Sequence, residues 1–247
     1  MSKKPANNLF EDKTNVYVTE CLSTNDFLMQ LSLKNSIEEG SMVLTDFQTK
    51  GKGQRNNFWN SNRQENLLFS FILFPKIKLS EQFVLHIITS LSVYHLLKKI
   101  GLSNVKIKWP NDIYVNNKKI CGILIENQIF KKRIKKSILG IGININQKDF
   151  GNIKATSIYN EINKKTSRKE VLDLFKTYFS REYNKMGSLN KESYKKKLLG
   201  FNEILNYRSE ENTYSGKIID VRDDGKISLM INDKIKHFDF GSLELLL

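Results

Sequence analysis

The sequence predicts a mixed α/β domain over residues 1–200 and a small β-barrel over residues 201–247. Three observations predict it. Apolar strand-like runs alternate with amphipathic helical runs as far as Gly200. The run NLLFSFILF (66–74) is apolar on both faces, the pattern of a central strand covered on two sides. After Gly200 the helical period disappears, and short strands are punctuated by Asp-Asp-Gly and Asn-Asp turns.

Taken in order, VYVTE is a short strand, and STNDFLMQLSLKN a helix with Phe27, Leu28 and Leu31 on one face and Ser23 and Thr24 as cap candidates. SMVLTDFQTK is a strand running into the polar loop GKGQRNNFW. The central strand 66–74 is followed by a long helix, SEQFVLHIITSLSVYHLLKKIG, with Ser80 as its cap, Lys98 and Lys99 in its last turn and Gly101 as its stop. VKIKW leads into a hairpin, KWPNDIYVNNKKICGILIE, whose turn falls at Asn116-Asn117 because Asn tolerates the positive φ of a tight turn. KKRIKK (131–136) then reads as a turn between two strands, and KSILGIGININ as a strand placing Ile141, Ile143 and Ile145 in the core. RKEVLDLFKTYFSREYNKM is a helix with Val171, Leu174, Phe175, Tyr178 and Phe179 inward, and KESYKKKLLG a lysine-heavy helix before the β-rich end.

The chain has 247 residues, enough for a sizeable core. Its 40 Lys and Arg against 26 Asp and Glu leave a formal charge of +14. Such a balance fits an anionic partner or ligand, or simply a surface on which Lys is the default residue beside abundant Asn. Cys21 and Cys121 have no partner spacing and read as packed thiols of a reducing compartment. His86, His95 and His237 form no metal-ligand pattern. The opening residues lack the apolar run of a signal peptide, and no stretch reads as long and apolar enough to span a bilayer, so the expected location is the cytoplasm. Too few residues precede the first strand for a helix-turn-helix, which argues against DNA as a partner.

Two segments carry chemistry. In GKGQRNNFW, two glycines bracket Lys52, so backbone N–H groups and the charges of Lys52 and Arg55 can approach a ligand closely. The loop is neither a P-loop nor a dinucleotide fingerprint, and by itself it fits a surface turn equally well. In KWPND the Pro-fixed corner displays Asn111 and Asp112, and the return strand brings back Lys119 and a small Gly122.

Together with STN (23–25) and GIGININ (140–146), the segments QTKGKGQRNNFW (48–59) and KWPND…KKICGILIE (108–126) resemble the biotin protein ligase family, in that order and at similar separations. The resemblance implies a mixed-sheet catalytic domain with a C-terminal SH3-like barrel. It also implies a reaction in two steps: biotin is joined to the α-phosphate of ATP, with Mg²⁺ bridging phosphates, and is then passed to a lysine of a biotin carboxyl carrier protein or domain. It places Ser23, Thr24, Asn25 and Gln48 around the ureido ring and Lys52, Gly53 and Gln54 at the biotinyl group and phosphate. Lys119 falls at the biotin carboxylate, and Arg55, Trp59, Asn111 and Asn144 on the nucleotide side. Lys119, Lys52 and Arg55 are the expected electrostatic catalysts, and Asp112 the group that orients or deprotonates the incoming lysine. No dedicated protein-only metal site is expected, and monomer and homodimer both remain open.

The loop departs from the commoner family pattern, Gly-Arg-Gly-Arg-x-Gly-Arg-x-Trp. Lys52, Gln54 and Asn57 stand where arginines usually do, and Asn56 stands for a glycine, which suits a left-handed backbone at that position. Fewer loop cations predict looser retention of the adenylate. KKRIKK reads as a solvated loop or as a patch that steers an acidic carrier domain. Two rival functions are a lipoate or octanoate ligase or transferase of the same superfamily, and a non-catalytic basic nucleic-acid-binding protein; the latter is disfavoured because the aromatics lie in apolar stripes.

Overall fold

A computed structural model describes residues 8–246; the polar opening residues 1–7 and residue 247 lie outside it. The first sheet has seven strands: β1 (Asn15–Val18), β2 (Met42–Thr45), β3 (Leu67–Leu73), β4 (Val105–Lys108), β5 (Asp112–Val115), β6 (Lys118–Phe130) and β7 (Arg133–Ile143). Their order is β1-β2-β3-β7-β6-β5-β4, with β1 and β2 parallel and every other pair antiparallel. The parallel pair needs a crossover, which helix α1 (Thr24–Lys34) supplies. The sheet is covered on both faces, as the two-sided apolarity of 66–74 predicts. Helices α2 (Phe83–Ile100) and α4 (Arg168–Tyr183) pack on one face against Phe69, Phe71, Leu139 and Ile141. On the other face α1 packs Leu28 against Val43, Ile72 and Ile138.

The alternation in β7 decides what lies where. Leu139, Ile141 and Ile143 enter the core, so Gly140 and Gly142 face the α1 side of the sheet and leave bare backbone there. The turn chemistry is as expected: Asn116 and Asn117 take φ of 48° and 60°, and Asn232 and Asp233 take 47° and 59°. Gly101 ends α2 in the left-handed region, donating its N–H to Leu97 and Lys98 carbonyls.

Several local expectations are corrected. Ser80 does not cap α2; it lies in a 3₁₀ turn, Leu79–Glu81, and the helix starts at Phe83 with Gln82 at its cap position. Leu79–Ile100 does meet the length and apolarity of a membrane span, at a mean hydropathy of 1.2, but 67% of its 18-residue apolar window is buried inside the protein as a core helix. The KKRIKK turn is confined to Lys131 and Lys132, because Arg133–Lys136 belong to β7; Lys136 is buried and donates to Ser32 Oγ at 2.9 Å. That leaves a smaller free basic patch than a six-residue solvated loop would give. The lysine-heavy helix is short, α5 (Lys191–Lys195), after the five-residue α3 (Ile158–Ile162).

The expected C-terminal β unit is an antiparallel sheet of β8 (Leu205–Ser209), β9 (Asn212–Val221), β10 (Ile227–Ile231), β11 (Lys234–Phe238) and β12 (Glu244–Leu245), in the order β11-β10-β9-β8-β12. It shares one continuous core with the first sheet and its helices. Trp109 is a buried core aromatic that donates its Nε1–H to the Gly225 carbonyl at 3.0 Å, and Phe240 packs edge-on against Phe83, His86 and Trp109.

A buried carboxylate ties the far end of the sheet together. Asp46 accepts from Tyr17 Oη at 2.5 Å and Gln64 Nε2 at 3.0 Å, and pairs with Arg168 at 2.8 Å. Burial pushes its pKa up, but Tyr17, Gln64 and Arg168 outweigh burial and bring it below the ordinary value. A depressed folded-state pKa gives stability that is present above the unfolded value and lost as pH falls through the folded one. We expect Asp46→Asn to cost about 2–3 kcal/mol at neutral pH, discounted because Arg168 keeps 30% of its side chain in water. The difference should narrow as pH falls below about 4 and through the lowered folded-state value, where wild type protonates too. Denaturant melts at pH 7 and pH 3 check it, and a pH-independent difference would count against the assignment.

Candidate active site

Six segments converge on one cleft of about 230 Å³ on the α1 side of the sheet. These are the start of α1, Gln48 with the loop 52–59, the corner 108–112, the near ends of β6 and β7, and residues 241–244 of the C-terminal sheet.

The first wall is polar and buried. Ser23, Thr24 and Asn25 expose 3%, 4% and 2% of their surfaces. Ser23 sits at the cap position of α1, yet its hydroxyl makes no cap hydrogen bond and faces the cleft. Gln48 Oε1 accepts from the Thr24 backbone N–H at 2.7 Å and lies 3.1 Å from Thr24 Oγ1. Ser70 Oγ lies 2.7 Å from Thr24 Oγ1 and 2.6 Å from Asn25 Oδ1, and Asn25 Nδ2 donates to Glu126 Oε2 at 2.7 Å. Asn25 rests on Gly140, where a Cβ would lie 2.2 Å from Asn25 Oδ1.

The loop forms the second wall. It closes as a narrow hairpin, with Trp59 N–H to Gly51 O at 2.9 Å and Gly53 N–H to Asn57 O at 2.7 Å. The left-handed residue is Arg55 (φ 54°), not Asn56 as the glycine replacement suggests. Lys52 Nζ pairs with Asp26 at 2.5 Å; that hydrogen bond raises the lysine pKa and keeps it charged. Arg55 turns toward the C-terminal sheet, donating to the Phe240 carbonyl at 3.4 Å over the bare Cα of Gly241. Trp59 lays its indole across the paired glycines Gly122 and Gly142, and its Nε1 has no hydrogen-bond partner among the described residues.

The third wall is the hairpin. Asp112 opens β5 and meets Lys119 of β6, Nζ to Oδ1 at 2.7 Å, and Lys119 Nζ sits 5.5 Å from the Trp59 ring. Lys108, opposite Asp112 in the β4–β5 register, lies over the Tyr114 ring. Burial lowers its pKa, and the Asp112 charge partly offsets this.

The structure therefore brings together Ser23, Thr24, Asn25, Gln48, Lys52, Gly53, Gln54, Arg55, Trp59, Asn111, Asp112 and Lys119. It leaves Asn144 outside the cleft. That side chain is buried behind β7 and donates to the Thr156 carbonyl at 3.0 Å, because the Gly-Ile-Gly-Ile strand has passed the cleft by then. Asn111 lines the cleft, but its amide donates to the Ile123 carbonyl at 2.8 Å, which pins the corner to β6. Sequence reasoning missed Lys108, Asp26, Ser70, Glu126 and the segment Gly241–Glu244. Ser70 had a signal, the one polar residue in an otherwise apolar strand (67–73); Gly241–Glu244 had none.

The model of the Biotin/lipoate A/B protein ligase family matches residues 18–144. The chain is 32% identical over 223 residues to the bifunctional ligase/repressor BirA of Bacillus subtilis, covering 85% of this chain and 68% of that protein. A biotin–[acetyl-CoA-carboxylase] ligase of Paracoccus denitrificans is 27% identical over 162 residues, 61% of this chain and 66% of that one. A solved biotin protein ligase from Aquifex aeolicus, in complex with biotin and ATP, superimposes with a TM-score of 0.78 at 28% identity, covering 95% of this chain and 99% of that chain.

Proposed function

The chain belongs to the biotin/lipoate A/B protein ligase family, and we propose on that premise that it is a biotin–protein ligase. It activates biotin with ATP and transfers it to a lysine of a biotin carboxyl carrier domain. The observation that carries the reading is the convergence, around one cleft, of a buried uncharged hydrogen-bonding wall with Lys52, Lys119 and Asp112. Such a wall suits a neutral ring that both donates and accepts. The cations suit a reaction in which two anions meet.

In the first step a biotin carboxylate oxygen bonds to the α-phosphorus of ATP and the α–β bridging oxygen leaves with pyrophosphate. Negative charge gathers at phosphorus, where a preorganised cation is worth ~3 kcal/mol. In this reading Lys119 meets the biotin carboxylate and Lys52 the phosphate; in the structure they pair with Asp112 and Asp26. Arg55 is turned away from that position and instead joins the loop to the C-terminal sheet. Trp59 lies over bare glycines, where it can cover the mixed anhydride and exclude water. In the second step the acceptor lysine Nζ attacks the acyl carbon, AMP leaves, and the proton passes to Asp112. Mg²⁺ bound with ATP would offset the phosphate charge in the first step. We place the reaction in the cytoplasm, in keeping with the free thiols Cys21 and Cys121.

Biotin-dependent pyrophosphate release from ATP, followed by labelling of a carrier domain, tests the function. Release driven by lipoate or octanoate instead of biotin would move the chain to the other branch of the family, and no release with any of them would remove the reading. The loop composition adds a prediction. Gln54 lines the cleft where relatives commonly carry Arg. Gln54→Arg should slow release of biotinyl-adenylate by about tenfold, the worth of one charge-assisted hydrogen bond. Equal release rates from both proteins would refute it.

A further inference from the structure

Ser70 and Glu126 do not line the cleft, yet both touch residues that do. The contacts run as one chain of side chains, Glu126 to Asn25 to Ser70 to Thr24 to Gln48, and the chemistry of each end fixes the direction of every proton in it.

A carboxylate accepts and does not donate. Glu126 Oε2, 2.7 Å from Asn25 and backed by the Leu124 carbonyl at 3.5 Å, therefore commits the Asn25 nitrogen to that side. The Asn25 oxygen is then turned to Ser70, whose single hydroxyl proton must fill the 2.6 Å contact. With that proton used, Ser70 offers Thr24 only a lone pair, and this 2.7 Å contact takes the Thr24 proton ahead of Gln48 Oε1 at 3.1 Å, so the proton points inward. Thr24 is left presenting a lone pair to the cleft. Gln48 has its oxygen held by the Thr24 backbone N–H at 2.7 Å, so its remaining polar group toward the cleft is the donating Nε2. The floor under this chain has no slack. Ser70 and Gly140 are register partners in β3 and β7, and Asn25 is pressed against the bare Gly140 Cα. Ser70, Asn25 and Thr24 are all almost wholly buried, where no water competes for these protons.

We propose that Ser70 and Glu126 are positioning residues that make the Thr24 hydroxyl an acceptor, beside the Gln48 donor that the Thr24 backbone N–H fixes, and thereby select a ring that presents an N–H to Thr24. This rests on the biotin reading above. A ureido ring meets that wall with its N–H at Thr24 and its carbonyl at Gln48. A ring with an oxygen in place of that N–H turns a lone pair toward the Thr24 lone pair and should be rejected. Removing Ser70 frees the Thr24 proton. Removing Glu126 lets the Asn25 amide flip, which reverses the Ser70 proton and then the Thr24 proton.

The experiment is calorimetric binding of biotin, and of a cyclic carbamate analogue with a ring oxygen in place of the N–H that meets Thr24, to wild type, Ser70→Ala, Glu126→Leu and Glu126→Gln, with melting temperatures recorded for each. Wild type should prefer biotin, and Ser70→Ala and Glu126→Leu should shrink that preference about tenfold, one hydrogen bond's worth of discrimination. Glu126→Gln keeps an oxygen facing Asn25 and should retain the wild-type preference while removing the charge. A role in stability alone would weaken both ligands in proportion and leave their ratio unchanged; that result in Ser70→Ala and Glu126→Leu would overturn the proposal while biotin binding by wild type still stood. Wild type binding neither ligand would instead overturn the biotin reading itself.

Discussion

Lys119→Ala should lower the rate of biotin-dependent pyrophosphate release by about two orders of magnitude, the loss of one preorganised charge of ~3 kcal/mol beside the reacting carboxylate. The position explains the size. Lys119 is the second residue of the return strand, its backbone is bonded to Lys154 and Thr156, and its amine is fixed between the Asp112 carboxylate at 2.7 Å and the Trp59 ring. An ammonium held this way needs little reorganisation when a carboxylate and a phosphate arrive. The loss should fall mainly on kcat, because the wall of Thr24, Asn25 and Gln48 is untouched and biotin affinity should change less. Lys119→Arg should recover only part of the rate, since a planar fork does not sit where a point charge did. Quenched-flow measurement of pyrophosphate reads it, and a variant as fast as wild type would end the assignment of Lys119 to the chemistry.

Gly142→Ala should cripple activity while leaving the fold intact. A Cβ there would lie 2.4 to 2.8 Å from three atoms of the Trp59 indole, closer than real contacts allow, so the ring must leave its seat. The backbone of Gly142 is ordinary strand, and Ala is no worse than Gly there. The cost is therefore borne by the loop, whose hairpin closure ends at Trp59. Displacing a lid and the cations beside it by an ångström costs on the order of 10²-fold in rate. Gly187→Ala, where a Cβ meets nothing within 4 Å, is the control and should behave as wild type. If Gly142→Ala melts as wild type and turns over as wild type, Trp59 has no part in covering the intermediate.

The two substitutions act on features that the sequence disclosed to different degrees. Lys119 could be picked out because KWPND and the lysine that follows are a local pattern, and the Asn116-Asn117 turn between them dictates a return strand. That Trp59 would lie on Gly142 could not be. The two residues are 83 positions apart, and their contact depends on β6 pairing with β7 in a register that sets Gly122 opposite Gly142.

The same division runs through the whole molecule. Helix and strand identity, the turns at Asn116-Asn117 and Asn232-Asp233, the inward Ile residues of β7 and the change of texture after Gly200 follow from periodicity and backbone preference, which act within a few residues. These were determined by the amino-acid sequence alone. Packing overrode it where a local preference was weak. Ser80 is a good cap residue, but the first turn tightened to 3₁₀ and α2 began at Phe83, which anchors against Tyr194 and Phe240. Asn56 could take a left-handed backbone, but Arg55 took it. Only the tertiary structure decided that Asn144 would be spent on the Thr156 carbonyl, that Arg55 would join the C-terminal sheet, and that Ser70 and Glu126 would meet Asn25 from strands far apart in the chain. Sheet register and the shape of a shared core select such partners, and both are properties of the folded whole.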